Sequence, residues 1–392
     1  MKFPHFVFFL AVILLIYASV NLYLLRRTGQ ALEGLSAVRA PVLWTLFFLV
    51  LAFPAGRLAE YFFHNGISGA LVVTGSLYLG VMFYAVLLAA FVDLLRLGNH
   101  FFRYFPASVA AHPSAAAHWT WAIASFCVLV ITAIGHYNAV HPHYKNYDLT
   151  IAKKANGLKE LNIVAVSDMH LGTVVGTAQL NRIIGLVRGA KPDLVLFVGD
   201  IFDIDVSESV ERNTAAVLKN LQATYGVFAV TGNHEYYAGV DKAVSYLERA
   251  GVTVLQDSAV RVAGAFYLIG RKDLAAERMG KGRATLDQLL VNVDRGLPLI
   301  LMDHQPFHLE AAQRCGIDLQ LSGHTHYAQL FPLNLFYGRI YELPWGILRK
   351  GNSTIIVSCG AGTWGPPVRT SAVPEVVRIR VTFGNPRGNP RG

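Results

Sequence analysis

Residues 162–170 read NIVAVSDMH and residues 194–203 read LVLFVGDIFD. Each is a short apolar, β-branched run that stops at a carboxylate. Runs of this length, closed by polar or glycine positions, are buried strands rather than helices. Three more follow the same plan: VFAVTGNHE at 227–235, LILMDH at 299–304 and LQLSGHTH at 319–326. Further strands are expected at 252–255, 266–269, 354–358 and 376–381. Helical patterns near 179–187, 209–222, 240–250, 284–293 and 306–314 fill the intervals. Such alternation predicts an α/β domain with parallel or mixed sheets. Sites in α/β folds lie beyond the carboxyl ends of the strands, so the five polar strand ends are expected to converge on one rim.

Histidine usage supports a rim of this kind. Residues 151–392 contain six histidines, at 170, 234, 304, 308, 324 and 326, and all but His308 sit in those five loops. The donors there are carboxylate oxygen, imidazole nitrogen and the Asn233 amide oxygen. Thiolate is absent: the cysteines are Cys127, Cys315 and Cys359, an odd count with no CxxC spacing. That excludes a disulfide framework and a cysteine-type zinc site. Mixed nitrogen and oxygen donors suit Mn, Fe, Zn, Co or Ni. The ligands are too many for one ion, so two divalent ions sharing a carboxylate are expected. Two ions roughly 3.5–4 Å apart clamp a phosphoryl group and make a nucleophile of water near neutral pH. A histidine outside the ligand set can protonate the leaving oxygen.

In order, these motifs are DxH at 168–170, GDxxD at 199–203, GNHE at 232–235, His304, and GHTH at 323–326. The series resembles the calcineurin-like metallophosphoesterases. Residues 358–367 and 319–326 look like the bacterial membrane-associated branch of that family. The resemblance implies a four-layer α/β/β/α sandwich with a dinuclear centre. It implies one ion held by Asp168, His170, Asp200 and His326, and a second held by Asp200, Asn233, His304 and His324. His234 would be the general acid or a phosphate-stabilising group, oriented by a carboxylate such as Glu235, with Asp203 nearby. Three positions depart from the family pattern: Met169, Glu235, and the pair Tyr327-Ala328, where the branch has two glycines. Trp364 in a Gly/Pro loop is a candidate wall of the substrate cleft. Arg271, Arg339, Arg349 and Arg369 read as solvated surface, with an anionic headgroup as the alternative partner.

Upstream of this domain the composition changes. The chain has 392 residues, 34 Lys+Arg and 25 Asp+Glu. Residues 1–150 carry only 8 basic and 4 acidic side chains, against 26 and 21 in the remainder, so the net +9 divides into +4 and +5. Two of the latter charges, Arg387 and Arg391, lie in the terminal repeat GNPRGNPRG, leaving +3 for the domain, which is no nucleic-acid footprint. Four apolar stretches stand out, with uncharged runs over 3–25, 40–56, 61–92 and 104–144. A span needs about 20 apolar residues. The second stretch reaches that length only by running on toward Phe63, with Arg57 and Glu60 snorkelling. No buried charge pair is evident among them. His136, His141 and His143 read as interfacial side chains.

The expected organisation is a membrane domain of four transmembrane helices over 1–145, a linker over 146–157, a phosphoesterase domain over 158–383 and a disordered tail over 384–392. Arg26, Arg27, Arg39, Arg96 and Arg103 lie in the loops joining spans 1–2 and 3–4, whereas Lys2 and Arg57 lie on the other side. That balance leans the catalytic domain out of a bacterial cytoplasm, although Lys145, Lys153, Lys154 and Lys159 point the other way. The expected activity is hydrolysis of a phosphate ester or pyrophosphate bond, with a lipid-linked or other amphiphilic substrate and membrane lipids as partners. A cytoplasmic domain would favour a UDP-2,3-diacylglucosamine pyrophosphatase-like enzyme. The alternatives from other classes are an inactive membrane interaction module and a transport-associated domain.

Overall fold

A computed structural model describes residues 3–63, 65–203 and 208–384. The chain divides into two compact units, Met1–Gly135 and His136–Gly392.

The first unit is helical: α1 (Phe3–Ala31), α2 (Ser36–Phe62), α3 (Gly66–Phe102), the short α4 (Ala107–Ala111) and most of α5 (Pro113–Val140). Four segments are long and apolar enough to cross a membrane: Leu10–Ala31, Ser36–Phe62, Gly66–Phe102 and Pro113–Val140. The second span does run on to Phe62, with Arg57 and Glu60 paired at 3.0 Å within it. Asn65 caps α3 reciprocally with Ser68, which fixes where that helix begins. Helices α2 and α3 meet through small residues: a Cβ at Gly75 would collide with the backbone of Phe53, and one at Gly56 with Val72 N at 2.7 Å. Close backbone approach of this kind is how apolar helices associate in lipid. The unit also contains an ion pair that the sequence reading missed. Half-buried Asp93 pairs with Arg27, accepts from Tyr23 Oη at 2.8 Å, and lies 3.9 Å from Arg96. Arg27 and Asp93 are 66 positions apart, so only the helix packing reveals the pair.

The second unit holds two six-stranded sheets. The strands are β1 (His143–Ile151), β2 (Glu160–Val166), β3 (Leu194–Val198), β4 (Val227–Val230), β5 (Thr253–Val254), β6 (Ser258–Val262), β7 (Phe266–Gly270), β8 (Leu299–Met302), β9 (Leu319–Ser322), β10 (Gly346–Lys350), β11 (Ser353–Val357) and β12 (Glu375–Phe383). Their orders are β1-β12-β2-β3-β4-β5 and β10-β11-β9-β8-β7-β6. Strands β2 to β5 are mutually parallel, as are β7, β8, β9 and β11. The helices are α6 (Thr177–Gly189), α7 (Glu208–Leu218), α8 (Asn233–Ala238), α9 (Val240–Arg249), α10 (Leu274–Arg278), α11 (Leu286–Leu289), α12 (Leu309–Cys315) and α13 (Asn334–Tyr337).

Alternation along each strand builds the four layers. On β3, Leu194, Leu196 and Val198 join a core shared with Phe266, Leu268, Ile300 and Met302 of the other sheet. Val195 and Phe197 point the opposite way, onto Leu180, Ile183, Ile184 and Val187 of α6. On the second sheet, Leu299 and Leu301 turn outward onto Leu286, Leu290 and Ala312. Side chains that swap faces at every residue, with both faces covered, require helix–sheet–sheet–helix stacking. This is the expected sandwich.

Some boundaries differ from the sequence reading. Residues 146–151 were expected in a linker, but they belong to β1, which pairs with β12 over nine residues, from His143↔Glu375 to Ile151↔Phe383. β1 is an edge strand whose buried side chains are only Leu149 and Ile151, so its sequence, HYKNYDLTI, lacks an apolar stripe. The helix expected over 284–293 is the single turn α11. Of the tail expected to be disordered, 385–392 lie outside the described residues.

Candidate metal centre

Five loops meet at one rim because the strands that feed them are parallel within each sheet. Asp168 and His170 follow β2, Asp200 follows β3, Asn233 and His234 follow β4, His304 follows β8, and His324 and His326 follow β9. The chain turns sharply to bring these side chains inward. Asp168, His170, Asp200, His324 and His326 all have positive φ, between 48° and 72°. Non-glycine residues rarely adopt this conformation, and where they do the surrounding structure holds them there, often at a functional site.

Three groups of side chains lie close enough to hold an ion: Asp168, His170 and His326; Asp200, His304 and His324; and, sharing His170 with the first, His170, Asp203 and His234. The first two match the expected ligand sets. His170 Nε2 lies 2.9 Å from His326 Nε2, which is 3.5 Å from Asp168 Oδ1. In the second group, His304 Nε2 lies 3.1 Å from Asp200 Oδ2. That same Oδ2 is 3.8 Å from His170 Nε2, so Asp200 borders the first two groups through one oxygen. Its other oxygen accepts from His234 N at 2.9 Å.

Unsatisfied polar atoms show that these residues suit metal ions. His304 Nδ1 donates to Val198 O at 2.7 Å, which directs Nε2 at Asp200. That Nε2 is buried and makes no hydrogen bond, and neither does the buried Asn233 Oδ1. Buried acceptors without donors are costly, and a cation satisfies them together. The acid–base balance agrees. Burial pushes Asp168 up to about 6. Burial would raise Asp200 as well, but His304, His170 and His234 outweigh it and hold that carboxyl well below the usual range. Burial would lower His304, but the Asp200 and Asp168 carboxylates outweigh it and raise it well above the ordinary imidazole value: the buried carboxylates favour a positive charge at Nε2, which a metal ion there supplies in place of a proton. Burial holds His170 down to about 4 and His324 to about 3, which leaves both neutral lone-pair donors.

His234 stands at the edge of this centre. Its Nδ1 lies 3.1 Å from Asp203 Oδ1, and its ring is 4.5 Å from that of His170. Burial would lower its pKa, but the Asp203 hydrogen bond and the Asp200 and Asp203 charges outweigh it and raise it. The expected partner of His234, Glu235, does something else. It sits at the third position of α8 and turns back to accept from Gly232 N at 2.7 Å. It also accepts from Asp200 N, Ile201 N and Phe202 N at 3.1, 2.8 and 3.0 Å. Glu235 is thus a fully buried brace for the GDxxD loop, and Asp203 orients His234.

The remaining candidates divide. Trp364 is exposed and its ring lies 6.2 Å from His234, so it flanks the centre. Tyr327 packs against Trp345, with ring centroids 5.2 Å apart and planes tilted by 40°. His308 is exposed and outside the centre, and His136 and His143 donate to Pro367 O and Pro374 O at 2.9 Å each. Arg271 does not lie on the surface: it pairs with buried Asp303 at 3.0 Å. The largest miss is Arg369, which is completely buried. It donates to the carbonyls of Gly362, Cys359 and His326 at 2.6, 2.7 and 2.8 Å, and its Nη2 lies 3.1 Å from His326 Nδ1. One signal could have found it: Arg369 is the only charged residue between 351 and 374. An isolated charge in a loop of small residues suggests a buried clamp.

Residues 161–328 match the family described as Calcineurin-like phosphoesterase. A metallophosphoesterase of Helicobacter pylori is 35% identical over 227 residues, which are 57% of this chain and 60% of that protein. One from Aquifex aeolicus is 34% identical over 260 residues, 65% of this chain and 98% of its own. A transmembrane protein with metallophosphoesterase domain from Danio rerio is 34% identical over 269 residues, 64% of this chain and 61% of that protein. The chain thus spans about 60% of the length of the Helicobacter and Danio relatives.

Proposed function

The chain belongs to the calcineurin-like metallophosphoesterases, and from that premise we propose that it is a membrane-anchored hydrolase of phosphate ester or pyrophosphate bonds, acting on an amphiphilic substrate. The observation that carries this reading is the position of Asp200 Oδ2, buried between His170 Nε2 and His304 Nε2. In this reading Asp168, His170, Asp200 and His326 hold one divalent ion, and Asp200, Asn233, His304 and His324 hold the other. When bound, such a pair polarises the phosphoryl oxygens and supplies a water whose pKa is close to neutral.

The protein's own groups do the rest. His234 has its Nδ1 engaged by Asp203, which leaves Nε2 to deliver a proton to the departing oxygen as the phosphorus–oxygen bond breaks. The Asp203 hydrogen bond and the Asp200 and Asp203 charges raise its pKa, which favours the protonated ring. Glu235 fixes the loop that carries Asp200, and Arg369 fixes the backbone and ring of His326. The amphiphilic substrate is favoured by the four helices able to cross a membrane, which tether the domain close to lipid.

The test uses the full chain in detergent. Metal content per chain is measured by elemental analysis, and p-nitrophenyl phosphate and bis-p-nitrophenyl phosphate hydrolysis are followed with Mn, Fe, Zn, Co or Ni added. Two ions per chain and turnover that Asp200→Asn abolishes are expected. An Asp200→Asn variant with wild-type metal content and turnover would overturn the reading.

A further inference from the structure

The rim of the metal centre continues into an apolar face. Gln329 Nε2 donates to Trp364 O and Pro366 O at 3.0 and 2.7 Å, and Phe331 N donates to Thr370 Oγ1 at 2.9 Å, so segment 329–340 and loop 364–371 form one piece. Within the second unit, that loop also receives the last turn of α5. His136 Nδ1 donates to Pro367 O at 2.9 Å and Asn138 Nδ2 to Arg369 O at 3.1 Å. These residues end Pro113–Val140, a helix long and apolar enough to cross a bilayer. From this piece Leu335 (66% exposed), Ile340 (59%) and Phe336 (52%) project outward, together with Leu333. The Arg339 guanidinium lies 5.7 Å over the ring of Phe336. Just after the segment, Tyr341 approaches His324 with ring centroids 6.3 Å apart.

A water-facing loop gains nothing from this composition. Aliphatic and aromatic side chains beside an arginine match the headgroup boundary of a bilayer, where the apolar groups enter the acyl region and the cation meets lipid phosphate. A transmembrane helix ending on the same piece of structure puts that boundary within reach. We propose that segment 333–340 inserts into the bilayer interface, so that Tyr341 and His324 lie where a lipid phosphate ester would enter. The consequence for substrate rests on the phosphoesterase reading; the insertion itself does not.

Site-directed spin labelling tests it on the full chain, in a Cys127→Ser background, since Cys315 and Cys359 are buried. Nitroxides are placed at Leu335→Cys, at Ile340→Cys and at Val291→Cys, the last an exposed apolar position outside the segment. The protein is reconstituted in phosphatidylcholine–phosphatidylglycerol vesicles, and collision with oxygen and with a water-soluble nickel chelate is measured. Insertion predicts a severalfold lower nickel accessibility and a higher oxygen accessibility at 335 and 340 than at 291. Equal nickel accessibility at all three sites overturns the proposal. Protection from both reagents with dipolar broadening would mean that a second copy covers the face, and overturns it too. These readings need no turnover, so a failure of the hydrolase reading would be seen separately.

Discussion

Replacing Arg369 by lysine tests whether a buried cation outside the metal groups holds one of them together. The guanidinium donates to three carbonyl oxygens, those of Gly362, Cys359 and His326, and contacts His326 Nδ1. Lysine keeps the charge but concentrates its donors at one point, so the planar fork cannot be reproduced. We expect two of these charge-assisted bonds to be lost, at about 1.5–3 kcal/mol each, or roughly 4 kcal/mol together. For a domain of this size each kcal/mol shifts the midpoint by about 2–4 °C, so the transition should fall by roughly 8–16 °C. The effect should also be local. His326 belongs to the group with Asp168 and His170, so Arg369→Lys should lower metal content from two ions toward one, measured well below both transitions. Thermal unfolding in detergent and elemental analysis provide the two readouts. A variant with an unchanged transition and a full metal complement would refute the assigned role.

Two further outcomes follow from the same geometry. Asp203→Asn removes the carboxylate that raises His234, so kcat should fall about 10²-fold or more, within the range for general acid catalysis, with little change in KM. The proton donor must be protonated to work, so a lower pKa moves the alkaline limb of the pH–rate profile to lower pH; an unmoved limb would remove Asp203 from the mechanism. Ala328 has φ of 60°, so Ala328→Gly should stabilise the protein by about 1 kcal/mol, read as a raised thermal transition; a fall would show that the methyl's packing outweighs the strain.

Strand-end motifs made the centre legible before any fold was known. A strand followed by DxH or GHTH commits its last side chains to one end of the sheet, and that is a local property. The two groups thus assembled from residues up to 158 positions apart, Asp168 to His326, with the strand order doing the work. The role of each acid was not local in the same way. Glu235 adjoins His234 in sequence, but helical geometry at the start of α8 turns it back onto backbone amides. Asp203, 31 positions away, reaches the imidazole because β3 and β4 are neighbours.

The sequence by itself determined the strand–helix alternation, the donor chemistry and the four apolar helices, because periodicity and strand-end polarity are encoded over a few residues. Only the tertiary structure decided that β1 closes a sheet edge, that Arg27 meets Asp93, and that Arg369 lies buried behind His326. Each of these depends on a partner far along the chain, and burial of a polar group is favourable only where such a partner waits. The exposed face at 333–340 belongs with them: only the packing shows that its apolar residues are left uncovered.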